Sequence, residues 1–437
     1  VFSLKLAESI FVIFSLLFFS GGILGILTEQ GITLGYVLFK FLPYVIGIIS
    51  IILMTLHWKR VISTITREKL LWVLLATIFA SAFASDMPIV TLRREIVMMH
   101  TVLFAVYFAT CYSAKEQLRL LAWMLGLATV LSLIFGLALP SYGRMGMGGV
   151  VDQQNAAHQG LWRGIFPHKN YLSRIMVLST LVFSLLAASR IRYHWVAWVC
   201  FYLSIVLILL STSKSALVIL VGIIAILPCY RALRWNYTIA LPFFITVILV
   251  SVSAGVLLIE NAEGIANALG RDLSLTGRTD IWIIMINKIQ ERPWLGYGYD
   301  TFWRAGWDGG AADVWSAVGY EPPHAHNGLL DLALDTGLLG ASLFVLSFLT
   351  TYLRAVNYVR ITKTSEGLFP IAYLTFLLLV NLTESSLLKM NIFWLIYIVV
   401  VLSMDSQSEK VMQLNTSELH KLKKKQRNVK ARKRIKT

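Results

Sequence analysis

The stretch "EPPHAHNGLLDLALDTGLLG", residues 321 to 340, decides how the rest of the chain is read. Two histidines, His324 and His326, stand directly before an apolar run whose acids and glycine repeat at helical rather than strand spacing. Asn327 is a good N-cap for a helix starting at Gly328, and Pro322 and Pro323 stiffen the approach. What the histidines do at the mouth of so apolar a helix depends on whether it spans a membrane, and on which side its mouth faces.

Composition answers the first point. Of 437 residues, 57% are hydrophobic and 14% charged, and mean hydropathy is +0.70. A soluble domain could not cover itself with polar surface at that composition. Apolar runs of roughly the 20 residues needed for a crossing recur along almost the whole length. Strand alternation over barrel-length segments is absent, which leaves helices. The chain reads as an all-α polytopic membrane protein. The net charge of +16 is concentrated in one tail: residues 420 to 437 hold ten Lys/Arg and no acid. Beside a span, such a tail favours anionic lipid, and without interleaved aromatics it lacks the stacking platforms of a single-strand nucleic-acid binder. Cys111, Cys200 and Cys229 have no ligand spacing and read as small core residues. Lys5 alone precedes the first apolar run and no clear cleavage site follows, so that run reads as a retained span.

About twelve spans are expected. They fall near residues 8–28, 34–56, 69–85, 96–112, 118–138, 170–188, 194–211, 214–231, 238–259, 328–352, 369–385 and 391–404. With the N-terminus inside, every inner loop carries Lys or Arg, and the even count returns the basic tail to the same side. Residues 1–404 then form one transmembrane domain with outer loops at 139–169 and 260–327, and 405–437 form a cytoplasmic tail. Loops this long in a compact membrane protein are usually functional.

The outer loops carry candidate chemistry. Thr279 or Asp280 can cap a helix whose stripe is Ile281, Trp282, Ile284, Met285 and Ile289, ended by Pro293; it reads as an amphipathic interfacial helix with Trp282 and Trp294 at headgroup level. Arg278, just ahead of free backbone N–H groups, has two readings: a phosphate site, or a side chain snorkelling to headgroups. The positive end of the helix at Gly328 disfavours imidazolium, so His326 is expected to stay neutral near pH 7 and able to accept a proton, with His324 sharing or orienting the site. The alternative is a histidine that merely caps or packs. A zinc site would need more ligands, from His158, His168, Asp313 or Glu321, and no spacing marks them out. Lys214, Arg163, His168, Lys169, Asn170, Arg93 and Arg94 all fall at outer helix mouths. Each alone can be a headgroup anchor; together they outline a basic pocket for a polyanionic headgroup such as a lipid pyrophosphate.

"GRTDIW", "RPWLGYGYDTF" and "HAHNGLLDLALDTGLLG", in this order, resemble the O-antigen ligase and O-antigen polymerase family of bacterial membrane glycosyltransferases, over roughly the central and C-terminal two-thirds of the chain. The resemblance implies a GT-C-like fold with a large periplasmic loop carrying amphipathic helices, in the bacterial inner membrane. It implies a metal-independent, inverting transfer, without cofactor, from an undecaprenyl-pyrophosphate-linked glycan to a sugar hydroxyl at the periplasmic face. By the same resemblance Arg278 would bind the donor pyrophosphate, and His326 would act as base or position the acceptor, assisted by His324. Trp282 and Asn327 fall within the motifs as substrate-binding candidates. Lys214 stands where the family usually shows arginine, keeping the charge but losing the bidentate fork, and Asp335 stands at a family acid. "GIFPHKNYLSR" is similar to an element of the exopolysaccharide-polymerase branch. That favours a polymerase, whose acceptor is a second lipid-linked glycan and which leaves room for a chain-length regulator. The alternative is a ligase that transfers to lipid A-core or a protein. A transporter of lipid-linked sugars ranks below both, since no repeat between halves is found and the polar residues gather at one face, not mid-membrane.

Overall fold

Within a bilayer every backbone polar group needs an internal partner, and among the described residues the chain meets this with helices; it has no strand, only an isolated bridge between Arg144 and Trp162. The computed structural model describes residues 2–22, 33–147, 158–189, 194–236, 238–247, 249 and 278–404. The expected basic tail, the far end of the ninth span, the first part of the long loop and the middle of the shorter one lie outside the described residues.

The first helices are α1 (Phe2–Phe19), α2 (Thr33–Thr55), α3 (Trp58–Arg67), α4 (Lys69–Ser81), α5 (Pro88–Cys111) and α6 (Ala114–Ala138). Then come α7 (Lys169–Ala187), α8 (His194–Ser211), α9 (Lys214–Ala232) and α10 (Thr238–Val247). After the long loop's start follow α11 (Arg278–Glu291), α12 (Ala311–Val318), α13 (Gly328–Ile361), α14 (Phe369–Asn381) and α15 (Ile392–Met404). By length and composition five of these, α6, α7, α8, α9 and α13, can each cross a membrane, or six if the bent pair α2 and α3 is one span. The about twelve crossings read from the sequence also include shorter helices and stretches outside the described residues. Helices α4, α10, α14 and α15 are apolar but shorter. The protein is a multi-pass membrane protein.

Helix α15 is buried on every side, with Phe393, Trp394 and Tyr397 sealed from the surface. A helix apolar all round belongs in a core, and α14 and α15 form the middle of this one. Hydroxyls tie neighbouring helices across the bundle, as between Ser179 and Ser204 at 2.8 Å. At one end the loops rich in cations are fastened: Arg354 pairs with Glu68, and Arg234 donates to the carbonyls of Val359, Lys363 and Thr364.

A second, smaller core forms where α11 and α12 meet the start of α13. The stripe expected on α11 is there, but Ile281, Met285 and Ile289 are buried against Tyr297, Phe302, Val314 and Leu334. This face of the helix therefore packs on protein. The chain is already helical at Arg278, so Thr279 and Asp280 sit in the first turn instead of capping it.

Helix α13 is interrupted at Gly337, with φ 68° and ψ −175°. At this break the Leu338 N–H and the Leu334 carbonyl turn to partners outside the helix. The turn Pro293–Tyr297 takes both ends: Tyr297 N–H donates to the Leu334 carbonyl and Leu338 N–H to the Pro293 carbonyl, each at 2.7 Å. The approach requires glycine on both sides. A Cβ on Gly296 would meet the Leu334 oxygen at 2.2 Å, and one on Gly337 the Trp294 oxygen at 2.2 Å. Gly296 also has φ +67°. Gly296→Ala is expected to destabilise the protein by roughly 2–4 kcal/mol, read as a lowered thermal midpoint in detergent, whereas Gly319→Ala, with open space around it, costs only its backbone strain.

Candidate functional site

Four segments far apart in sequence meet at the bundle end opposite the Glu68–Arg354 pair: the start of α5, the start of α7, the loop before α13, and residues 384–391 between α14 and α15. Their centre is the opening motif of α13. Asn327 caps the helix, its side chain accepting from the N–H groups of Leu329 and Leu330 at 3.1 and 3.3 Å. His326 has φ +52°, a conformation uncommon outside glycine. That turn folds its ring onto His324, with the centroids 4.2 Å apart.

Hydrogen bonds fix the tautomer of His324. Its Nδ1 accepts from the His326 N–H at 3.1 Å, so the proton lies on Nε2, which is 3.5 Å from the Glu384 carboxylate. Glu384 is buried and accepts from the Asn170 side chain at 3.2 Å, with Arg174 at 3.8 Å. The His-Lys-Asn segment of α7 and the histidines of α13 are thereby joined through one acid that sequence reasoning did not single out. Asp331, one turn into α13, holds the loop from beneath. It accepts from the Ala325 N–H, from Trp303 Nε1 at 2.7 Å and from the Ser385 hydroxyl. Trp282 donates to the Ala325 carbonyl at 2.9 Å, so it clamps the same loop.

The expected basic residues separate. Arg94 pairs with Asp300, which Arg304 also approaches at 3.1 Å and Lys389 at 3.9 Å, while Arg93 is exposed. Burial works to raise the Asp300 pKa, but these three cations outweigh it and hold the carboxyl below its usual range. Lys389 shows the converse: burial lowers its pKa, and Asp300, Asp331 and Asp335 more than restore it. Arg163 is buried and donates to the Tyr142 carbonyl at 2.8 Å, fastening the shorter loop. Lys169 is buried at the first position of α7. His168 caps that helix, its Nδ1 accepting from the Asn170 N–H at 3.1 Å. Burial, then the neighbouring His158, push His168 down to about 4, consistent with a neutral acceptor. Lys214 is exposed at the start of α9 and no described bond joins it to the cluster. Arg278 opens α11, and its side chain lies outside the described residues.

His324, His326 and Glu384 offer ligand atoms within 4.8 Å of one another. The third member of a metal-ligand set is therefore Glu384, not the groups the sequence offered: Asp313 pairs with Lys288 and Glu321 accepts from Trp307. The donors suit zinc by type, but Glu384 already carries Asn170 and Arg174, which compete with a cation for its charge.

Fold and cluster define a helical membrane protein with a polar, histidine-bearing site at one end of its bundle. Residues 198–345, from α8 through the histidines to the middle of α13, match the family described as O-antigen ligase. The chain is also 32% identical over 94 residues to the exopolysaccharide production protein ExoQ of Rhizobium meliloti (strain 1021). That match covers 20% of this chain and 21% of the relative, so it spans about a fifth of the relative's length. The resemblance to the O-antigen ligase and polymerase family, on its exopolysaccharide side, is borne out.

Two outcomes follow from this geometry. Asp331→Ala removes the acceptor of the Ala325 N–H, and hydrogen exchange of that amide is expected to quicken by about 10- to 100-fold, measured by mass spectrometry on peptides spanning residues 322–328. Unfolded His168 takes up a proton near 6.5 while the folded form resists until about 4, so stability is lost as pH falls through that window. His168→Asn keeps a cap acceptor and should flatten this loss by on the order of 2 kcal/mol, seen in thermal midpoints across the same range.

Proposed function

We propose that the protein is a membrane glycosyltransferase that polymerises lipid-linked oligosaccharide units into a cell-surface polysaccharide. An undecaprenyl-pyrophosphate-linked glycan is the donor, and a sugar hydroxyl on a second lipid-linked glycan is the acceptor. The cluster faces the periplasm from the inner membrane, with both ends of the chain in the cytoplasm. The observation that carries this reading is the His326–His324–Glu384 arrangement at the mouth of α13, tied to the His-Lys-Asn segment through Asn170.

In this mechanism His326 takes the proton of the acceptor hydroxyl. His324 cannot compete for it, because its Nδ1 is occupied and its Nε2–H is directed at Glu384; it orients His326 instead. The hydroxyl oxygen attacks the anomeric carbon from the face opposite the phosphate, so configuration inverts and pyrophosphate leaves with the bonding pair. Arg278, Lys214 and the cations around Asp300 are the groups that stabilise the charge developing there. Pyrophosphate is already a good leaving group, so no metal is required. Transfer to lipid A-core or a protein is the second reading, supported by the family match to O-antigen ligase.

The test incubates purified protein and His326→Ala with an undecaprenyl-pyrophosphate-linked oligosaccharide in EDTA, and reads glycan length by gel or mass spectrometry. Wild type is expected to lengthen the lipid-linked chain, and His326→Ala to do so about 10²- to 10⁴-fold more slowly. Extension only after lipid A-core is added identifies a ligase. Activity abolished by EDTA and restored by zinc makes the histidines and Glu384 metal ligands. Undiminished activity of His326→Ala removes the base from this helix mouth.

A further inference from the structure

The bundle end away from the histidines carries a feature that glycosyl transfer does not use. Between Thr55 and Trp58 the chain turns by 107°, so α3 leaves the line of α2 and runs across it. Its sequence "WKRVISTITR" holds Lys59, Arg60 and Arg67 and no acid. Val61 is buried beneath the helix, Lys59 and Arg60 are exposed, and the Lys59 ammonium lies 5.8 Å from the centre of the Trp58 ring. A short amphipathic helix with cations above, apolar residues below and a tryptophan at its start is built to lie in a headgroup layer.

Under this helix, α2, α4 and α5 leave an apolar cavity of about 250 Å³. Its walls include Ile51, Met54, Val61, Trp72, Met99 and Val102. A water molecule's share of liquid volume is roughly 30 Å³, so the space is many waters large, yet walls of this kind give water nothing to bond. Trp58 and Ile62 border it and are also about half exposed, at 56% and 50%, so the cavity opens beside the basic helix.

We propose that this groove binds one acyl chain of an anionic phospholipid, whose phosphate is held by Lys59 and Arg60. The chain fills the apolar walls and the headgroup meets the two cations one turn or less away; a zwitterionic lipid satisfies the first requirement and not the second. The site anchors the elbow between α2 and α3 to an anionic membrane surface.

The full chain is reconstituted in phosphatidylcholine vesicles containing a minor fraction of phosphatidylglycerol brominated along its acyl chains. Bromine quenches nearby tryptophan, and the Trp58 contribution is the difference between wild type and Trp58→Phe. Brominated phosphatidylglycerol is expected to quench that component, unbrominated phosphatidylglycerol to restore it by competition, and brominated phosphatidylcholine at the same fraction to leave it bright. Lys59→Gln with Arg60→Gln should raise the phosphatidylglycerol needed by about 25-fold. Both side chains are exposed, so the double variant leaves the fold intact. Equal quenching by the two brominated lipids, or a double variant that behaves as wild type, overturns the proposal.

Discussion

One break, at Gly337 in α13, organises the histidine-bearing end of this molecule. The Leu338 N–H and the Leu334 carbonyl beside it are buried polar groups that would be costly to leave without partners. The turn at Pro293–Tyr297 supplies both partners, and two glycines let the backbones come close enough to do so. The turn thus docked cannot drift, and its continuation is fixed against α4 and α5: Tyr299 N–H donates to the Ser81 hydroxyl at 3.0 Å, and Thr301 bonds Thr91 at 2.7 Å. Asp300 is set between them, facing Arg94. The short segment of α13 before the break is held in turn, and with it the histidines.

Around that frame, strain and buried charge collect in one place. Four described residues other than glycine have positive φ, and three of them, Asp300, His326 and Leu388, lie in or beside the cluster. Such conformations cost on the order of 1–3 kcal/mol each and persist only where neighbours over-determine them. Here Asp331 binds the loop next to His326, while Lys389, which follows Leu388, faces Asp300. The acids and cations are interleaved instead of pooled, which lets several charges share a partly buried site.

The parts of this arrangement legible in the sequence were those set by local chemistry. Asn327 is a cap because of its side chain and its place before an apolar run, and the α11 stripe follows from helical period alone. The glycine turn and the histidine pair stood out as motifs. The partners did not. Glu384 and Lys389 sit in "TESSLLKMN", between two apolar runs; the signal was charge where spans meet, but nothing local said which motif they would face. Periodicity showed that the Trp282 face of α11 is apolar without showing that the loop at Ala325 and the second core would meet it. Apolar runs at α14 and α15 did not say whether bilayer or protein would cover them, and among the described residues both are shorter than a full crossing and largely buried in protein.

The sheathing of α15 has a consequence for how the protein is made. Its neighbours cover it on all sides, so it has no place until they stand, and the link that brings Glu384 and Lys389 to the cluster arrives only with it. Synthesis runs from the N-terminal end, and the histidines are therefore laid down before their acid partner is in reach. A chain halted ahead of α14 holds the spans and the helix mouth without the group that orients them. Assembly of the last helical pair is the step at which a set of membrane helices becomes a site.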